Sequence, residues 1–183
     1  MRRGYTLLEI VVVIATVSVL VALAIPVAIR KIAEARDARA RADVTRLSAA
    51  VLGFIKDTGR NPDRKNASGS QTFDLLRSTS DATKDPIDPS GLIATLSANA
   101  GDLNDQLVRN TYSYPNWSGP YVQEISLDAF GRNYLVYTKG FHSATTGSVV
   151  WIISAGQNQK IETGEADTKT SGDDIGLIFD VRR

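Results

Sequence analysis

The feature that most constrains this chain lies at its start, where Arg2 and Arg3 precede a run that is apolar apart from small hydroxyl residues and one carboxylate, Glu9. Residues 10–29 are twenty in a row without a charge. As a helix rising about 1.5 Å per residue, that run matches a hydrocarbon core about 30 Å thick. A cleavable secretory signal also begins with basic residues, but its apolar stretch is shorter and ends at a small-residue cleavage site. Here no such site leads into a polar start. Glu9 is the informative residue, because an isolated charge in a hydrophobic segment costs about 2.5–3.5 kcal/mol even on permissive insertion scales. Either it reaches the interface from the helix end, or it meets a cationic partner inside an assembly.

Beyond residue 29 the composition turns charged, and no breaker appears before Gly59 and Pro62. Ile32, Val44, Leu47, Val51 and Ile55 recur at helical spacings, with Arg36, Asp37, Arg39, Arg41, Asp43 and Arg46 on the other faces. The pattern predicts one helix over residues 5–58, about 80 Å long. Pro26 lacks an amide proton and crowds the preceding turn, so a kink or a locally unwound stretch is expected there. Arg30 and Lys31 follow the span, so both flanks are basic and charge counting alone does not orient it.

Composition narrows the function classes. Lys and Arg number 21 against 20 Asp and Glu, which leaves no basic excess to neutralise a nucleic-acid backbone. With no cysteine and a single histidine, His142, a zinc site or a thiol nucleophile is excluded. A membrane-anchored hydrolase built on His142 and a serine is the enzymatic alternative, and the chain has no Gly-x-Ser-x-Gly elbow to support it.

The remaining residues predict one α+β head. Residues 61–69 read as a loop. Two short helices are expected at 72–77 and 91–108, separated by the turn Asp85-Pro86-Ile87-Asp88-Pro89. Tyr112, Tyr114 and Trp117 lie among turn residues and either pack onto the head or form an interaction surface. Strands are expected at 121–125, 133–138, 148–153 and 177–181, rich in Val, Ile and aromatic residues. A small antiparallel sheet would then cover the apolar stripe on the solvent-side half of the long helix.

The string Gly4-Tyr5-Thr6-Leu7-Leu8-Glu9-Ile10-Val11-Val12-Val13-Ile14 resembles the prepilin signature of type IV pilins and type II secretion pseudopilins. The likeness combines a short basic leader, a glycine before the cut, an aromatic first mature residue, a Glu five residues into the mature chain, and Pro26. It implies that a prepilin peptidase cuts between Gly4 and Tyr5 and methylates the new amine. It also implies that Glu9 pairs with the Tyr5 amine of a neighbouring subunit, with Thr6 and Pro26 as further assembly residues. The implied organisation is a leader at 1–4, a transmembrane and assembly segment at 5–29, an amphipathic half-helix at 30–59 and a periplasmic head at 60–183.

Two later stretches are similar to the major pseudopilin in particular. Gly119-Pro120-Tyr121-Val122, followed by Asp128-Ala129-Phe130-Gly131-Arg132-Asn133-Tyr134, resembles its segment before the sheet, with Ala129 and Phe130 where the family has Pro and Trp. Ser154-Ala155-Gly156-Gln157-Asn158 with Ser171-Gly172-Asp173-Asp174-Ile175-Gly176 resembles its calcium loop. The resemblance implies Asp173 and Asp174 as main ligands, Ser171 and Asn158 as further oxygen donors, and the carbonyls of Ala155 and Lys160. Asn158 stands where the family has Asp, and Glu162, Glu165 or Asp167 in the long 159–170 connection is available to replace that charge. The alternative is a solvated acidic turn. The absence of cysteine favours the pseudopilin over type IV pilins, many of which staple this region with a disulfide. The implied partners are other copies of the chain, the prepilin peptidase, minor pseudopilins and an inner-membrane assembly platform. The implied location is the inner membrane of a Gram-negative type of bacterium, with the head in the periplasm. A major or minor pilin of a type IV pilus, serving adhesion, motility or DNA uptake, is the alternative within the same superfamily.

Overall fold

The computed structural model describes residues 5–66, 71–142 and 149–179. One helix, α1 (Leu7–Thr58), runs for 52 residues. The chain divides into two compact units, Met1–Arg36 and Asp37–Arg183. In the first, the apolar side chains from Leu7 to Ile32 are exposed. Thr16 and Ser18 turn their hydroxyls back onto the carbonyls of Val13 and Ile14, at 2.9 and 2.7 Å, which satisfies them without water. The helix continues through Pro26. The expected unwound stretch is absent.

The second unit contains the core. Val44, Leu47, Val51 and Phe54 fall on one stripe of α1 and are buried. They pack against a five-stranded sheet of order β2-β1-β3-β4-β5, formed by β1 (Leu75–Arg77), β2 (Ala100–Asp102), β3 (Leu135–Tyr137), β4 (Val150–Ser154) and β5 (Ile175–Phe179). The register aligns Leu76, Val136 and Ile152 in one row, and all three belong to the core that contains the helix stripe. Period-two alternation then sends Leu75, Tyr137 and Trp151 to the other face.

That second face is also buried, and the sequence did not account for what covers it. Its cover comes from Ile93 and Leu96 of α2 (Leu92–Leu96) and from Ile161 in the long connection before β5. The two pieces are stitched together where the Ile87 amide donates to the Gln159 carbonyl and the Ile161 amide to the Ile87 carbonyl, both at 2.9 Å. The head therefore has three layers, α1, sheet and cover, and residues 61–118 supply two strands and part of the cover.

Four expectations change. The sheet is mixed, since β1 and β2 run parallel while the other pairs are antiparallel. Residues 72–77 form no helix; Leu75 and Leu76 point to opposite faces of the sheet, and both faces are covered. The helix expected at 91–108 is split into α2 and α3 (Leu103–Leu107) by β2. At Gly101 a side chain would collide with the Phe73 ring, its Cβ falling 2.7 Å away. Residues 121–125 form no strand, and the Asn104 side chain takes the place of a strand partner. It accepts from the Ile125 amide at 2.7 Å and donates to the Ile125 carbonyl at 2.9 Å.

Candidate functional site

Two of the expected sites fall within described residues. At the N-terminal site Gly4 lies outside them, and Tyr5 is the first described residue and exposed. Thr6 and Glu9 bond reciprocally. The Thr6 amide and hydroxyl donate to Glu9 Oε2 at 2.9 and 3.1 Å, and the Glu9 amide donates to Thr6 Oγ1 at 3.2 Å. This is a capping box, which satisfies donors that the first helical turn leaves unpaired. It places the Glu9 carboxylate at the very start of the apolar run. It also gives that carboxylate hydrogen bonds, and no cation pairs with it among the described residues.

The second site is the loop after β4. Gly156 has φ +64° and approaches the Asp173 carbonyl so closely that any Cβ would collide with it, which brings the 154–162 and 171–174 segments together. The Asn158 amide donates to Asp173 Oδ2 at 2.8 Å, and the Lys160 amide donates to Asn158 Oδ1 at 2.7 Å. Asn158 turns its amide nitrogen to Glu162 Oε2 at 3.2 Å. The Ser171 amide donates to Thr163 Oγ1 at 2.9 Å, and Ala155 is buried at the end of β4. Asp174 is buried and accepts from the Glu162 and Thr163 amides and the Thr163 hydroxyl, all through Oδ2, at 2.9, 2.7 and 2.7 Å. Its Oδ1 is buried without a partner. Burial pushes this carboxyl above the ordinary aspartate value, against the pull of those three donors.

The expected ligands are thus neighbours, yet among the described residues no group of three or more Asp, Glu or His is arranged to hold a metal. Of the three acids in the long connection, Glu162 reaches the loop. Glu165 pairs with Lys139 at 3.4 Å, and Asp167 accepts from the Gly164 amide at 2.6 Å. The donor chemistry suits a hard cation, and the orphaned Asp174 oxygen is a buried position in the loop whose hydrogen bonding is left open.

His142 bridges two carboxylates. Its Nδ1 lies 2.8 Å from Asp63 Oδ2 and its Nε2 3.0 Å from Asp74 Oδ1. Both ring nitrogens are occupied, which leaves none to activate a serine. Tyr114 is buried against the Phe54 ring, centroids 4.7 Å apart and edge to face, so this aromatic packs. No family model, curated protein or solved structure matches the chain.

Proposed function

We propose that the chain is a structural subunit of a type II secretion pseudopilus, which polymerises through α1 to drive protein export. The observation that carries this reading is the uncovered apolar helix of residues 7–29, headed by a carboxylate with no ion-pair partner among the described residues. One helix among the described residues is long and apolar enough to cross a membrane. Such a helix is satisfied by lipid before assembly and by other copies after it.

On this reading a prepilin peptidase removes residues 1–4, and the Tyr5 amine of one copy meets Glu9 of the next. Two charges paired in an apolar core satisfy each other only in good geometry, so the pair acts as a device that sets the axial register. Thr6 holds the carboxylate at the helix start until then. The chain needs no catalytic group of its own. It sits in the inner membrane with its head in the periplasm, next to minor pseudopilins and an assembly platform. The lack of cysteine favours this reading over a type IV pilin.

The same reading assigns calcium to the loop after β4. Asp173, Asp174 and Ser171 would hold it, with Glu162 supplying the carboxylate that Asn158 lacks. Support comes from the unpartnered Asp174 Oδ1. Bound there, the cation would supply charge neutralisation to a buried carboxylate.

Glu9→Leu tests the reading. The variant should insert in the membrane at wild-type level and form no filaments. Normal filaments from it would overturn the proposal.

A further inference from the structure

His142, the chain's single histidine, sits in the turn at 139–142 after β3. It lies between two carboxylates from segments far away in sequence, Asp63 in the loop after α1 and Asp74 just before β1. The ring nitrogens stand 2.8 Å from Asp63 Oδ2 and 3.0 Å from Asp74 Oδ1. An ionised carboxylate can only accept, so each of these contacts needs a hydrogen, and a neutral imidazole carries one N–H. The two contacts together therefore hold two hydrogens, one more than a neutral ring and two carboxylates possess.

The surroundings favour keeping that extra hydrogen. Asp63 is fully buried, and its Oδ1 has no hydrogen-bond partner among the described residues, with Arg64 Nε 3.4 Å away. Burial pushes this carboxyl above the ordinary aspartate value, against the pull of the ring and of the Arg64 guanidinium. The Tyr114 hydroxyl, the remaining titratable group beside Asp63, donates to the Arg64 carbonyl at 2.8 Å. Asp74 keeps its other oxygen on Asn99 Nδ2 at 3.1 Å, and Lys65 Nζ donates to Asn99 Oδ1 at 3.1 Å. On the histidine's own turn Lys139 is paired with Glu165 at 3.4 Å. Residues 67–70 and 143–148 contain no ionisable side chain.

We infer that the trio of His142, Asp63 and Asp74 is a proton-operated latch. It is closed while it holds the second hydrogen. Losing that hydrogen sets a bare ring nitrogen against a carboxylate oxygen and frees the turn at 139–142 from the loop after α1. Asn61 Nδ2 also reaches the Phe141 carbonyl, but at 3.4 Å, beyond the usual range, so the latch is the closer tie between the two segments. The closed head binds one proton more than the unfolded chain, whose histidine and aspartates have ordinary values of about 6.5 and about 3.9. The stability that the latch contributes is therefore full below about pH 6.5 and is lost as the pH rises through the value at which the folded trio gives up its proton.

Paired urea unfolding of the detergent-solubilised full chain, wild type against His142→Gln, tests the latch. The advantage of wild type in the folding constant should be about tenfold larger at about pH 6 than at about pH 8.5. An advantage equal at both pH values would make the ring a plain structural hydrogen bonder and overturn the inference. Should His142→Gln fail to fold, Asp74→Asn and hydrogen exchange decide. An amide at 74 can donate to the ring while its oxygen keeps Asn99, so a neutral imidazole closes both contacts. Exchange in the peptide covering 139–142, corrected for the intrinsic rise with pH, should quicken at least threefold in wild type over the same range and stay constant in Asp74→Asn. Constant exchange in wild type, or the same quickening in both proteins, overturns the latch. The latch lies within the head, and either result leaves the subunit reading as it stands.

Discussion

The Ser154 hydroxyl donates to Asp128 Oδ2 at 2.6 Å, both residues buried. The bond joins the end of β4 to the Asp128-Ala129-Phe130-Gly131 turn, whose Phe130 and Arg132 amides donate to Asp128 Oδ1 at 2.9 and 2.8 Å. The turn and the end of β4 are thus joined directly. Ser154→Ala would leave a buried carboxylate oxygen without its donor. Hydrogen bonds to charged groups contribute about 1.5–3 kcal/mol, so a loss of about that size is expected in urea unfolding of the detergent-solubilised protein. An unchanged midpoint would show that the bond does not hold the turn.

Asp128 also gives a pH dependence of known sign. Burial raises its carboxyl above the ordinary value, outweighing the Ser154 hydroxyl and the amides that pull it down. The folded value therefore exceeds the unfolded one of about 3.9. The group's contribution to stability is full below the unfolded value and is lost as pH rises through the folded one. Asp128→Asn removes this dependence. The stability of wild type relative to the variant should thus increase as pH falls from 7 toward about 4, read as paired unfolding curves; a change in the other direction would contradict the assignment.

His142 ties three distant segments through Asp63 and Asp74. Asp63 is fully buried, with Arg64 Nε 3.4 Å from its other oxygen. Removing the imidazole leaves a buried carboxylate short of its main hydrogen-bond donor. His142→Ala should cost about 2–3 kcal/mol, and a thermal melt that does not move would mean the clasp carries no load.

Calcium at the loop after β4 should release or absorb heat on titration into chelator-treated protein and should raise Tm. A ligand at a hundredfold excess over Kd adds about 2.7 kcal/mol. Asp174→Asn should abolish both signals. Wild-type protein with no heat and no shift in Tm has no such site.

Much of this was legible from the sequence. The long helix follows from an apolar run continued by Val44, Leu47 and Val51, where one periodicity holds for many turns. The strands at 135–137 and 150–154 follow from Val, Ile and aromatic clusters. The cover layer was not legible, because Ile93, Leu96 and Ile161 are far apart in sequence and meet only across the sheet. Leu75 and Leu76 misled for a related reason: a strand buried on both faces shows no alternation, and a short apolar pair suits helix or strand equally. Residues 121–125 have strand composition, but a buried Asn104 takes the place of a neighbouring strand, and side-chain pairing of that kind has no periodic signature. At the N-terminal site Thr6-Leu7-Leu8-Glu9 carries the Thr-x-x-Glu spacing of a capping box.

The central claim is that the chain is cut after Gly4 and built into a polymer through Glu9. Intact-mass and N-terminal analysis of the protein extracted from native membranes, with and without the prepilin peptidase, tests it most directly. The account predicts a chain that begins at methylated Tyr5 when the peptidase is present and at Met1 when it is absent. A native chain that keeps Arg2 and Arg3 in the presence of the peptidase would contradict it.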